Sequence, residues 1–303
     1  MTGRRIKTLF DAAAGASAVG LLGAMKRLRR KPTAKFAGLV MRKVGPLFKE
    51  HRLGRENLRA AFPEKSDVEI EQILAGVWDN LGRIAVEFAH LDEFCFEGVG
   101  RQTPDVITSA PETTERYRRM LDRGEPMLGF AAHLANWELP AVVANVVVDR
   151  SAVLYRRPNI RSVSDIIVKL REPLMGELIP TGLDAPVRLA RLLQSGTHVG
   201  MLVDQHFTKG VEVTFFGRRC LANPLIALLA RQTESPIHGL RAVRKPDGNS
   251  FWVDITDPVE PARDADGRID IKGTMQAITA VVEGWVREHP EQWLWLHHRW
   301  RER

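Results

Sequence analysis

The stretch Met127-Leu-Gly-Phe-Ala-Ala-His-Leu-Ala-Asn-Trp-Glu-Leu-Pro140 constrains the fold most, because it puts a strand, a turn and a helix start side by side. Met127 to Ala132 carries no charge and reads as a buried strand. Asn136 reads as a helix N-cap, with Trp137 and Glu138 in the first turn and Pro140 close behind. His133 therefore stands where a strand ends and Glu138 where a helix begins. On one continuous helix the two side chains would lie roughly 140° apart. Across a strand–turn–helix junction they can face each other. A carboxylate beside an imidazole fixes its tautomer and steadies its charged form, which suits a general base.

The alternation continues along the chain. Residues 36–60 and 66–93 read as helices, the second opened by a Ser66–Glu69 capping box. Further helices are expected over 113–123, ended by Gly124, and over 139–148, 162–176, 187–194, 221–233 and 274–288. Strands are expected over 127–132, 152–155, 199–203, 211–216, 237–243 and 251–255. This pattern predicts an α/β fold with a central mixed sheet flanked by helices on both faces. Ligands in such sheets lie beyond the carboxyl ends of strands. Asp204 follows a predicted strand end, as His133 does, so one cleft can serve both.

The chain has 303 residues, 44% of them hydrophobic, enough for a sizeable core. Its two cysteines, Cys95 and Cys220, form no Cys-x-x-Cys and fit a reducing compartment. The net charge of +7 is concentrated at the start: residues 1–35 hold nine Lys/Arg and one acid, Asp11, leaving the remainder near −1. That disfavours nucleic acid as a partner and favours an anionic lipid surface. Ala12–Met25 is uncharged but weakly hydrophobic. As a helix it spans about 21 Å, short of the ~30 Å hydrocarbon core. Residues 1–35 are thus read as a helical membrane-associated segment, marginally spanning or interfacial, ahead of one domain over 36–303. A disordered basic tail is the plain alternative. A cleaved signal peptide fits less well, because basic residues follow the run at once.

Several segments in order resemble the late acyltransferases of bacterial lipid A biosynthesis, within the wider His-x4-acid glycerolipid acyltransferases. They are Asn57-Leu-Arg-Ala-Ala-Phe-Pro-Glu64 with Val77–Phe88; His133-Leu-Ala-Asn-Trp-Glu138; Tyr155-Arg-Arg-Pro-Asn159; Asp204-Gln205 with Val213-Thr-Phe-Phe-Gly217; and Pro290–Trp300. The resemblance covers about residues 40–300. It implies acyl transfer from an acyl carrier protein thioester to a hydroxyl of a lipid A precursor, on the cytoplasmic face of the inner membrane. His133 would be the base and Glu138 its partner, with no cofactor. Neither a Gly-x-Ser-x-Gly elbow nor a reactive-looking cysteine is present, so direct transfer without a covalent acyl-enzyme is expected.

The remaining candidates are substrate-facing. Arg156, Arg157 and Asn159 follow a strand and suit phosphate or glycan groups of the acceptor, although a solvated loop is an equal reading. Asp204 is a second orienting acid or a turn former, and Gln205 accompanies it. The family pattern places an arginine between the Tyr-Arg-x-Pro and Asp-Gln segments; here that stretch reads Lys169–Pro180, and Arg171 is its nearest substitute. The departure leaves a second acceptor class open, another glycolipid or a phosphatidylinositol mannoside with acyl-CoA as donor. A non-catalytic peripheral membrane protein on the same fold is the reading from a different class. No metal is expected: His133 and Glu138 lack a third ligand at recognisable spacing, and His-Glu-x-x-His is absent. Trp293, Trp295 and Trp300 read as core, and His297 and His298 as structural.

Overall fold

The computed structural model describes residues 2–96, 106–158 and 160–300. Four helices lead into the sheet: α1 (Thr2–Arg27), α2 (Arg30–Val44), α3 (Lys49–Ala61) and α4 (Asp67–Ala89). The Ser66–Glu69 capping box opens α4. The long helix expected over 36–60 is instead two, divided at Gly45-Pro46. Pro46 has no N–H to continue the ladder. A Cβ on Gly45 would lie 2.2 Å from the Trp78 ring, so the bend lets α2 close on α4.

Eight strands form one sheet in the order β1-β2-β10-β9-β3-β6-β4-β5. These are β1 (Cys95–Phe96), β2 (Val106–Ser109), β3 (Leu128–Ala131), β4 (Ser151–Tyr155), β5 (Glu177–Pro180), β6 (His198–Leu202), β9 (Ile237–Arg244) and β10 (Phe251–Ile255). All neighbours are parallel except β9 and β10. A mixed, mostly parallel sheet flanked by helices is therefore what the chain builds, as the alternation predicts. A separate hairpin, β7 (Val211–Phe215) and β8 (Arg218–Ala222), turns at Phe216-Gly217. The remaining helices are α5 (Pro111–Arg123), α6 (Leu139–Val147), α7 (Arg161–Arg171), α8 (Ala185–Gln194), α9 (Leu225–Thr233) and α10 (Ile271–Glu288).

Two expectations are corrected here. The helix expected over 162–176 stops at Arg171, and the chain after Pro173 forms β5. The helix expected from Leu221 starts only at Leu225, because 218–222 pairs with β7.

The sheet separates two apolar layers. Leu128, Phe130, Val199, Met201 and Ile237 face one side with α8, α9 and α10. Leu240, Ala242 and Phe251 face the other with α5 and α6. Among the described residues no helix is long and apolar enough to cross a membrane. The boundary expected at residue 35 falls inside α2, whose Arg30, Ala34 and Gly38 are buried.

Candidate active site

β3 and β6 are parallel neighbours, so their carboxyl ends emerge together and bring His133 to Asp204 across 71 residues of sequence. Asp204 Oδ1 lies 2.8 Å from His133 Nδ1, and Oδ2 accepts the His133 backbone N–H at 2.8 Å. Trp293 Nε1 donates to the same Oδ2 at 2.8 Å. An ionised carboxylate only accepts, so the imidazole proton sits on Nδ1 and the lone pair is left on Nε2. Gln205 Nε2 stands 3.3 Å from that nitrogen, and Trp137 packs its ring against the imidazole.

The electrostatics follow from this pairing. Burial alone would raise the Asp204 pKa, but His133 and its two hydrogen bonds outweigh it and hold Asp204 well below the usual carboxylate range. Burial likewise opposes protonation of His133. The charge and hydrogen bond of Asp204, helped by Glu138 and opposed by Arg171, prevail and raise its pKa above the ordinary value.

Glu138 is buried and binds Arg171, whose Nε donates to Oε2 at 2.8 Å and whose Nη2 donates to Oε1. Among the described residues no hydrogen bond joins Glu138 to His133. The imidazole's direct partner is therefore Asp204, and Glu138 reaches it only through its field. The turn explains why. Asn136 does not cap a helix that includes Trp137 and Glu138. Its Oδ1 accepts from Glu138 N at 3.2 Å, and α6 begins at Leu139, one residue later.

The turn itself is held from beneath. Ala135 has φ 47°, a left-handed conformation costing about 1–2 kcal/mol for a non-glycine residue. It is pinned by Ala135 N–H to Gln292 O at 2.9 Å and by Asn80 Nδ2 to Ala135 O at 3.2 Å. Asn136 Nδ2 donates to Glu87 Oε2 at 3.0 Å. Glu87 is fully buried and paired with Arg244, whose Nη2 donates to Oε2 at 2.9 Å. Leu294 N–H donates to His133 O at 3.0 Å. The closing segment, read from sequence as core, is thus also part of the site: Gln292 and Leu294 grip the turn, and Trp293 grips Asp204. No local pattern reveals this, because Trp293 is 89 residues from Asp204.

Beside the histidine opens a cavity of about 760 Å³ between the sheet and α6. His133, Glu138, Arg156, Arg157, Arg171 and Gln205 line its polar side, near the carboxyl edge of the sheet, and Gly129, Val153, Leu178, Gly200 and Ala144 line its apolar body. Arg156 and Arg157 are exposed there. Asn159 lies outside the described residues.

A largely buried histidine held by a buried carboxylate beside a largely apolar cavity can activate a hydroxyl next to a hydrocarbon chain. The chain belongs to the bacterial lipid A biosynthesis acyltransferase family, whose model matches residues 7–302. It is accordingly an acyltransferase of lipid A biosynthesis, with an acyl donor and a lipid A-type acceptor. A comparison with curated proteins finds no match.

Proposed function

We propose that the protein transfers an acyl chain from an acyl carrier protein thioester to a hydroxyl of a lipid A precursor. The observation that carries this is the His133–Asp204 pair opening onto the cavity. His133 Nε2 takes the hydroxyl proton as the oxygen attacks the thioester carbonyl. The ester C–O bond forms, the C–S bond breaks, and the imidazolium returns its proton to the leaving thiolate. Asp204 keeps the proton on Nδ1 and offsets the imidazolium charge. Gln205, with an amide at 3.3 Å from Nε2, is placed to donate to the developing oxyanion, a role often worth about 3 kcal/mol per donor. Glu138 positions Arg171, and Arg171 with Arg156 and Arg157 presents positive charge to acceptor phosphates on the polar side of the cavity.

The reading extends to residence on the cytoplasmic face of the inner membrane. It is supported by the basic N-terminus and by apolar side chains on α2 and just after it, beside Lys35 and Lys43. Phe36 is 67% and Leu47 82% exposed. A lipid surface would cover them.

The test offers purified enzyme equal amounts of acyl carrier protein and coenzyme A thioesters with a tetra-acylated lipid A precursor, and weighs the products. A gain of one acyl chain drawn from the carrier protein is the expected result. Transfer from coenzyme A alone, or no transfer to this acceptor, overturns the assignment of donor or acceptor.

A further inference from the structure

Side chains alternate across a strand, so His198, Gly200 and Leu202 of β6 point to the face that carries the cavity, as do Gly129 and Ala131 of β3. Gly129 and Gly200 are cross-strand partners, and Val153 of β4 continues their row. At its two glycines this row carries no side chain where the sheet faces α6, which in turn presents Pro140, Ala141 and Ala144. A trench results. The two glycines are not equivalent. A Cβ on Gly129 would meet Leu240 Cδ1 at 2.7 Å, whereas one on Gly200 would find nothing nearer than Ala152 O at 3.9 Å. Gly200 is therefore not demanded by packing: the space in front of it is cavity.

The trench ends at the amino edge of the sheet. There Ser151 and His198 are cross-strand partners, and His198 Nδ1 accepts the Met127 N–H at 3.3 Å. All three residues line the cavity's far end. Burial and the neighbouring His238 push the His198 pKa down, while Asp149 opposes them, so this floor is polar but uncharged near neutrality.

We propose that Gly200 keeps the acyl path open and that His198 with Ser151 closes it, so that chain length is set along β6. This rests on the acyl-transfer reading. From the level of His133 to His198 is about six strand residues, or about 20 Å. A hydrocarbon with bonds of about 1.5 Å and angles near 111° advances about 1.25 Å per carbon, so about 16 carbons fill the path. Gly200 stands two residues above the floor, or about five carbons from its end.

The experiment measures binding of saturated fatty acids of increasing length to the full chain by titration calorimetry, alongside transfer assays with the matching thioesters. In the wild type, affinity rises about fourfold per buried methylene and levels at about 16 carbons. Gly200→Val, a β-branched side chain suited to a strand, levels about five carbons sooner. His198→Ala moves the break the other way, so the length dependence remains measurable if either variant alone fails to fold. Breaks that stay at the wild-type length in both variants overturn the proposal. Shifted breaks without transfer from any donor support the ruler and count against the acyl-transfer reading; transfer with unshifted breaks does the reverse.

Discussion

As the proposed base, His133 acts only when neutral, and its surroundings favour the charged form. With its pKa raised above the ordinary histidine value, kcat/KM should climb with pH through a midpoint above that value. Asp204→Asn removes the charge that raises it and leaves burial, which lowers it, so the midpoint should move down while the maximal rate falls at least about 10²-fold. A pH–rate profile of both proteins checks this; an unmoved midpoint would contradict the pairing. Trp293→Phe tests the outer donor. It takes one N–H from Asp204, a bond to a charged group worth about 1.5–3 kcal/mol, and should lower both urea stability and turnover. Turnover equal to wild type would remove Trp293 from the machinery. At this scale the sequence was half informative. Strand ends announce His133 and Asp204 one by one, but nothing local says that Asp204 rather than the nearer Glu138 takes Nδ1. That follows from the parallel register of β3 and β6, a contact across 71 residues.

Two ion pairs tie elements together around the turn. Glu138 ends the loop before α6 and Arg171 ends α7, so their bond fixes one helix against the other. Arg171→Met leaves a buried carboxylate unpaired and should cost about 3 kcal/mol or more; adding Glu138→Gln should restore part of it, which a double-mutant cycle in urea measures. Independent, additive losses would argue against the pair. Glu87 on α4 and Arg244 on β9 hold Asn136 from below. Glu87→Leu should destabilise by about 3–5 kcal/mol and depress turnover, since Arg244 is left unpaired and the turn loses a support. Unfolding measurements with parallel rates test both halves. The elements themselves were largely legible from apolar periodicity. The departures have physical causes. β5 follows Pro173 and Gly176, where a helical reading runs on. β8 carries Arg218 and Arg219 and owes its state to pairing with β7. The break between α2 and α3 depends on the close approach of Gly45 to Trp78.

For the whole molecule, α1 packs on α4 and α7: Gly15 abuts Ser162, and buried His90 binds Met25 O at 2.9 Å, so the basic segment is joined to the fold rather than appended to it. Arg30 is buried, so cutting at 35 would open the packing of α2 on α4. Removing residues 1–28 instead should reduce sedimentation with anionic vesicles several-fold at low salt, at some cost in stability from the lost contacts of α1 with α4 and α7. The gap to the full chain should narrow at high salt, where surface charge is screened. Unchanged sedimentation would sink the anchoring role. The +7 charge foretold a basic N-terminus, and the family resemblance foretold the reaction class; neither foretold a cavity reaching from the carboxyl to the amino edge of the sheet, because its lining is assembled from several strands and helices distant in sequence.

The most direct test of the account is a single-turnover acyl transfer followed by product mass, comparing wild type with His133→Ala at matched folded concentration. The account predicts one added acyl chain from the wild type and a rate lower by about 10²–10⁴ in the variant. Equal acylation by the two proteins would contradict it.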